Sequence, residues 1–308
     1  MSDKSITHRM QMFYEEYQFP GRRPIDKDGL IFMRRFTDSI IKQSQLKGRE
    51  GMRVLDAGCG TGNTSVSLAR RFPEVLFYGA DNSRASLEKA KNLAGKNGIS
   101  NIRFRKWDIM KTLPYKFRFD IIICLGVLHH TANMEVVLLN LYKSLENNGE
   151  LYLWIYGKHG RYKHALNMQL LGMLLNTKPK PADKIKLARE FVFNKGNLAP
   201  LDDLLGENNK PHRAILNDPV WIADQFLNPS EKLLDMKTLS ELTFKSGFNI
   251  EHVVDMEGNI PDYFSSEQLN KRFGRLDRIQ KLIASDLILK PERYFVILKK
   301  SLTKRRKK

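Results

Sequence analysis

The stretch Val54–Gly62, V-L-D-A-G-C-G-T-G, constrains this 308-residue chain more than any other part of it. Apolar residues run into Asp56, and glycines then alternate at Gly58, Gly60 and Gly62. The pattern predicts a strand that ends in a tight turn and opens a helix. Glycine accepts positive φ and lets a ligand approach the backbone closely. A helix start offers unpaired N–H groups and a partial positive charge, which suit an anionic or electron-rich ligand edge. A glycine-rich turn alone fits any tight strand-to-helix junction, so the residues that follow decide its meaning.

From Met52 to Tyr156 apolar strand-like runs alternate with helical patterns across short loops, as in βαβ units of a parallel sheet. Strands are expected at Met52–Asp56, Val75–Asp81, Asn101–Trp107, Phe119–Leu125 and Glu150–Tyr156. The run F-D-I-I-I-C-L at 119–125 suits a central strand covered on both faces. Helices are expected at Asn63–Phe72, from an N-cap at Ser83 to near Gly98, and through Met134, Val137, Leu138, Leu141 and Leu145 to a stop at Asn147–Asn148–Gly149. Ahead of the sheet, Ile31–Gln45 reads as a covering helix with Phe32, Phe36 and Ile40 on one face. After it come a helix at Met236–Ser246 capped by Asp235, a strand at Asn249–Met256, a helical stretch at Ser265–Ile288 and a strand at Arg293–Lys299. The fold class is α/β, with a doubly wound, mostly parallel sheet.

Composition sets outer bounds. Hydrophobic residues make up 42% of the chain, enough for a core. The two cysteines, Cys59 and Cys124, give neither a disulfide framework nor metal spacing and read as small core residues. They point to a reducing compartment, and the N-terminus M-S-D-K-S-I-T-H has no apolar leader, so a cytoplasmic location is expected. The longest uncharged runs, Ile121–Met134 and His164–Thr177, are 14 residues each, too short to span a bilayer. Net charge is +18, and residues 299–308 hold seven basic and no acidic residues. That end is either a solvated tail or a contact for RNA or an acidic membrane face.

The dinucleotide fingerprint G-x-G-x-x-G fails in both registers, because Asn63 or Ser65 stands where its last glycine belongs. The pattern D-x-G-x-G-x-G does fit. It is followed by V-L-F-Y-G-A-D ending at Asp81, by Asp108 after the third strand, and by G-V-L-H-H-T at 126–131. With these four stations in order, the chain resembles the class I S-adenosylmethionine-dependent methyltransferases. The resemblance implies a seven-stranded Rossmann-like sheet with its last strand antiparallel and S-adenosyl-L-methionine across the carboxyl ends of the first strands. It also implies that Gly58, Gly60 and Gly62 lie beneath the methionine and ribose. By the same likeness Asp56 orders the loop or approaches the methionine amine, and Asp81 takes the ribose hydroxyls. Asn82 then flanks the adenine, Asp108 accepts from its amino group, Ile109 adds backbone and apolar contact, and Leu125 and Gly126 complete the cofactor set.

At the fourth station the chain departs from the amino-group methyltransferases, which carry an N-P-P-Y-like motif. Either His129 or His130 is a candidate to orient the acceptor or take its proton; the alternative is that both pack at the strand end. Adjacent residues leaving a strand face opposite ways, so at most one faces the cleft. Methyl transfer is an in-line displacement, and positioning supplies much of its effect. Candidate substrate contacts are Tyr14 and Tyr17 in the aromatic stretch Phe13–Gly21, Tyr156 and Arg161 in the loop after the fifth strand, and Trp221. The aromatic stretch is an arm over a cleft or a brace against the core, and the loop is an acceptor contact or solvated. The segment N-D-P-V-W-I-A-D-Q-F-L-N-P at 217–229 resembles one in a poorly characterised bacterial branch of methyltransferases, which supports a substrate-side cap. The apolar helix His164–Asn176 within it is expected to be buried. The division is thus an arm and covering helix at 1–45, a cofactor core at 46–157, a helical cap at 158–234, the rest of the sheet at 235–300 and a basic tail at 301–308. A small-molecule acceptor with an oxygen or carbon nucleophile is favoured. RNA is the alternative, since an H-H strand end also occurs in tRNA wobble-uridine methyltransferases. A non-catalytic protein of the same fold is the rival from another class, though the intact glycines and Asp81 speak against it.

Overall fold

A computed structural model describes residues 3–21, 50–175, 181–193, 217–257 and 263–301. Chain order runs α1 (Asp3–Glu16), β1 (Arg53–Ala57), α2 (Asn63–Arg71), β2 (Leu76–Asp81), α3 (Arg84–Lys96), β3 (Ile102–Lys106), β4 (Phe119–Leu125), α4 (Met134–Ser144) and β5 (Leu145–Tyr156). It continues with α5 (Tyr162–Leu174), α6 (Pro181–Phe193), α7 (Pro219–Phe226), α8 (Met236–Lys245), β6 (Phe248–Val253), α9 (Glu267–Gly274), α10 (Arg278–Leu289) and β7 (Arg293–Lys300). The strands form one seven-stranded sheet in the order β3-β2-β1-β4-β5-β7-β6, in which β7 alone runs antiparallel to its neighbours. This is the expected doubly wound sheet.

Both faces are apolar because residues two apart on a strand share a face. Leu55, Ala57, Ile122 and Cys124 join one core with Val137, Leu138 and Leu141 of α4 and Leu239 of α8. Val54, Ile121 and Ile123 join the other with Val66, Leu68 and Ala69 of α2. The two cysteines are buried and free, as expected. Asn101 stitches the first crossover: its side-chain Nδ2 lies 3.0, 3.0 and 2.9 Å from the carbonyl oxygens of Ala69, Phe72 and Val75.

Several sequence expectations need correction. Asn147–Asn148–Gly149 does not end a helix. α4 stops at Ser144 because Leu145 turns extended (φ −91°, ψ 143°) and buries its side chain opposite Phe119. Gly149 instead lies in the irregular stretch of β5 where its register with β4 shifts, and a Cβ there would meet the Asp120 carbonyl oxygen at 2.8 Å. The stretch Ser265–Ile288 is two helices, because Asp277 and Gln280 form a reciprocal capping box that starts α10 anew. The last strand runs one residue past the expected Lys299, to Lys300, which lies 4.6 Å from the centre of the Tyr142 ring. Helix α5 is not buried as a whole. It buries His164 and Leu171, while Leu166, Leu170, Met173 and Leu174 face outward. The covering helix at 31–45 and the basic residues after Ser301 lie outside the described residues.

The insertion after β5 is clamped at its base. The Lys158 N–H donates to the Leu234 carbonyl at 2.8 Å, and Leu171, Ala188, Val192, Ile222 and Phe226 form a small core of its own. Asn101→Ala is expected to lower the free energy of unfolding by about 1–3 kcal/mol, since three buried carbonyls lose a donor. Urea denaturation checks this, with an unchanged slope as the sign that only native stability moved.

Candidate functional site

The carboxyl ends of β1, β2 and β3 build one wall. After β1, Gly58, Gly60 and Gly62 have φ of 84°, 53° and 81°, so the turn uses left-handed backbone at each. The Gly58 and Cys59 N–H groups both donate to the Ala80 carbonyl, at 2.7 and 3.1 Å, which pins the turn to the end of β2. A Cβ on Gly60 would meet the Phe19 carbonyl oxygen at 2.6 Å, and one on Gly62 would meet Ala90 of α3 at 2.8 Å. Gly60 therefore allows the N-terminal segment to cross the turn. Gly62 allows two helices to pack and does not line the cavity.

Three carboxylates stand at these strand ends, and all line a cavity of about 300 Å³. Asp81 accepts the Gly60 N–H at 2.9 Å through Oδ2 and the Ser83 N–H at 2.8 Å through Oδ1. Each oxygen keeps a lone pair for a ligand. Burial raises its carboxyl above the ordinary range, against those N–H bonds. Asp56 is more isolated: its Oδ2 is buried without a partner. Burial, with the Asp81 charge adding to it and a Ser65 hydrogen bond opposing it, pushes the Asp56 carboxyl up to about 7. Asp108 Oδ1 accepts the Met110 N–H at 3.0 Å in a local turn. Asn82, Ile109, Leu125 and Gly126 line the same cavity.

The arm closes a second wall. Glu15, near the end of α1, caps α3: its carboxylate accepts the Arg84 and Ala85 N–H groups at 2.8 and 3.0 Å. That fixes Tyr14 in the cavity, where its hydroxyl donates to Asp224 Oδ1 at 3.0 Å. Tyr17 does not line the cavity; its ring packs on Phe13 at 5.3 Å. The arm is thus a cover and a brace at once.

The cap supplies the third wall, through Trp221, Asp224 and Gln225 of α7 and Arg161 ahead of α5. Arg161 is 2% exposed. Its Nε and Nη2 donate to the two Glu231 oxygens at 2.7 and 3.0 Å, Nη2 also donates to Gln225 Oε1 at 3.1 Å, and the guanidinium lies 3.5 Å from the centre of the Tyr156 ring. Burial opposes the Glu231 charge, yet Arg161 holds that carboxyl below the ordinary range. Asp224 carries no such cation, and burial raises its carboxyl. Asp224, Gln225, Glu231 and Glu15 were missed by sequence reasoning. The one available signal was the polar pair Asp224–Gln225 inside the apolar run P-V-W-I-A-D-Q-F.

The two histidines part company. They form a single 3-10 turn, Leu128–His130, after β4. His129 is fully buried, lies outside the cavity lining and stacks on Tyr156 at 4.5 Å, with both ring nitrogens unpartnered. Burial first, then His130 and Arg161, hold it neutral. His130 lines the cavity, with Nδ1 2.6 Å from the Ser230 carbonyl oxygen.

A family model described as a methyltransferase domain matches residues 49–170. An uncharacterised Synechococcus sp. protein, syc1184_c, is 27% identical over 295 residues, 92% of this chain and 69% of that protein. The trans-aconitate 2-methyltransferase of Deinococcus radiodurans is 31% identical over 40% of this chain and 45% of its own length. The tRNA 5-carboxymethoxyuridine methyltransferase of Escherichia coli is 33% identical over 39% of this chain and 46% of its own length. This chain therefore spans less than half of either named methyltransferase. Among solved structures, PKMT2 from Rickettsia typhi superposes with a TM-score of 0.65 at 20% identity, over 88% of this chain and 53% of that one. Magnesium protoporphyrin IX methyltransferase from Synechocystis, with bound SAH, gives 0.53 at 14%, over 96% and 100%. These likenesses establish the fold. Together with the matched domain they place the glycine turn and its strand-end carboxylates in a known setting: residues 49–170 are a methyltransferase domain of the class I S-adenosylmethionine-dependent kind, and S-adenosyl-L-methionine is its cofactor.

Proposed function

We propose that the protein transfers the methyl group of S-adenosylmethionine to a neutral small molecule held between the arm and the cap. The observation that carries this is the charge of the cavity. Among the described residues Asp56, Asp81, Asp108, Asp224 and Glu292 line it, against the guanidiniums of Arg161 and Arg293, which are already paired with Glu231 and Glu292. A polyanion entering such a space meets uncompensated negative charge in low dielectric. At the cap end the walls are Tyr14, Tyr156 and Trp221, which suit a compact apolar or planar acceptor. RNA is the second reading, supported by the net charge of +18 and the tRNA-modifying relative. No helix among the described residues is long and apolar enough to cross a membrane.

The cofactor fits the residues present. The unpartnered Oδ2 of Asp56 suits the ammonium of the methionine moiety. Asp81 can accept from both ribose hydroxyls, Gly58 and Gly60 line the space between it and Asp56, and Asn82, Asp108 and Ile109 suit the adenine edge. Bound there, S-adenosylmethionine supplies an electrophilic methyl group on a sulfonium. The protein's residues orient it, exclude water and hold the acceptor in line.

Asp81→Asn leaves no acceptor pair for the Gly60 and Ser83 N–H groups. It is expected to weaken S-adenosylhomocysteine binding at least about tenfold, or about 1.4 kcal/mol, in a protein that still folds. Isothermal titration with circular dichroism decides this, and an unchanged affinity in the folded variant removes the ribose assignment. Asp56 yields a pH dependence. Its carboxyl titrates near 7 in the free protein, and an ammonium favours the ionised form, so affinity rises with pH through that range. About a tenfold gain is expected between pH 6 and pH 8, flattened in Asp56→Asn. A flat wild-type profile means that Asp56 does not meet the amine.

Function itself is tested with S-adenosylmethionine carrying a tritiated methyl group, incubated with a lysate and fractionated, with Asp81→Asn as the blank. Label in the small-molecule fraction is expected. Label in RNA makes the basic C-terminal end the substrate contact instead. No label from a protein that binds S-adenosylhomocysteine favours the non-catalytic rival.

A further inference from the structure

Among the described residues His130 is the histidine that lines the cavity, and the cofactor fit assigns it no role. Its Nδ1 sits 2.6 Å from the Ser230 carbonyl oxygen. A carbonyl oxygen only accepts, so Nδ1 carries the proton, and the neutral ring keeps its lone pair on Nε2. With Nδ1 spent on the backbone, Nε2 is the ring nitrogen left for a ligand in the cavity that His130 lines. Its partner His129 has neither feature: it is sealed from the cavity and unpartnered.

We propose that His130 is the general base of the transfer and that the acceptor is a hydroxyl-bearing molecule whose proton passes to Nε2. This rests on the small-molecule reading above and narrows it to acceptors that still hold their proton at neutral pH. A carboxylate acceptor arrives already ionised and gains nothing from a base, and Asp224 would repel it. In the step, the acceptor O–H proton moves to Nε2 as the oxygen lone pair forms the new bond to the methyl carbon. The methyl–sulfur bond breaks, its electrons stay on sulfur, and the imidazolium returns the proton to water. The products are a methyl ether and S-adenosylhomocysteine.

The surroundings stabilise the cation so formed. The carboxylates of Asp224 and Glu231 both feel the charge of His130, and Ser230, the residue that fixes the ring, is the immediate neighbour of Glu231. The other groups facing the ring are Tyr14 and Tyr156, each 6.5 Å away between ring centres, and neutral His129 at 4.1 Å. Arg161 opposes the cation, but its charge is balanced by Glu231 at 2.7 Å. The positioning rests on the cap, because Ser230 belongs to the loop after α7, in which the Ser230 N–H donates to Asn228 Oδ1 at 3.1 Å.

Two measurements on the full chain test this. The first needs no turnover: long-range proton–nitrogen correlation on protein labelled with ¹⁵N-histidine, with the His130 signals assigned by their loss in His130→Asn. Expected is a protonated Nδ1 and an unprotonated Nε2 at pH 8; a protonated Nε2 overturns the proposal. The second compares tritium transfer to small molecules by wild type and His130→Asn. The asparagine amide can still donate to the Ser230 carbonyl, so a purely structural role survives the change, whereas a base does not. Expected is a loss of at least about 100-fold at pH 7.5, with S-adenosylhomocysteine affinity within about threefold of wild type. The acidic limb of the wild-type pH–rate profile should be absent in the variant. Transfer within about threefold of wild type overturns the proposal. If wild type labels RNA or protein and no small molecule, the small-molecule reading fails, and the hydroxyl acceptor with it. The tautomer measurement still reports separately whether His130 is set as a base.

Discussion

The two backbone donors that converge on the Ala80 carbonyl, with the Gly60 N–H on Asp81, are what the rest of the site depends on. They fold the turn after β1 back onto the end of β2. That holds three glycines in left-handed backbone and leaves Asp56 and Asp81 facing one space. Parallel strands stop in register here because the β1–β2 ladder runs without a break from Arg53–Leu76 to Ala57–Ala80. Any ligand taken up at this edge therefore meets carboxylates whose positions are set by the sheet and not by loops. Burial makes those carboxylates reluctant to ionise unless a cation or a set of donors arrives, so the site is poised for a ligand that brings both.

Above this edge, arm and cap are held in place by polar contacts. Glu15 spans the start of α3, the Tyr14 hydroxyl meets Asp224, and Arg161 meets Glu231. A buried pair such as Arg161–Glu231 contributes little net stability over an apolar replacement, but losing one partner strands a charge and costs about 3–5 kcal/mol. Its use here is geometric. Arg161 stands near the start of the insertion and Glu231 near its end, so the pair closes the loop on itself and fixes the segment that carries Ser230, and through it the His130 ring. The outward apolar residues of α5 take no part in that closure.

Much of this was legible in the residue order. The strand ends at Asp81 and Leu125, the N-caps at Ser83 and Asp235, and the glycine turn all follow from short-range rules, because each depends on neighbours within one turn or one strand. The errors have the same origin. Asn147–Asn148–Gly149 has the composition of a helix stop, yet the burial of Leu145 ended α4 earlier, and Gly149 answers a carbonyl on another strand. Helix α5 reads as a buried helix by hydropathy alone, since nothing local says that its polar residue His164 is the one turned inward to the Gln225 carbonyl, 2.8 Å away.

By itself the sequence determined the α/β alternation and the strand-end carboxylates that line the cavity at one edge of the sheet. Those properties are written in periodicity and in residues a few positions apart. Only the tertiary structure decided which of His129 and His130 faces the cavity, took Tyr17 out of it, brought Asp224 into it and set Ser230 and Glu231 behind its wall. The pairs involved are separated by 70 to 210 residues, as in Arg161–Glu231 and Tyr14–Asp224. No local pattern encodes which of two adjacent imidazoles a distant carbonyl will hold, because that choice is made when the cap docks on the sheet.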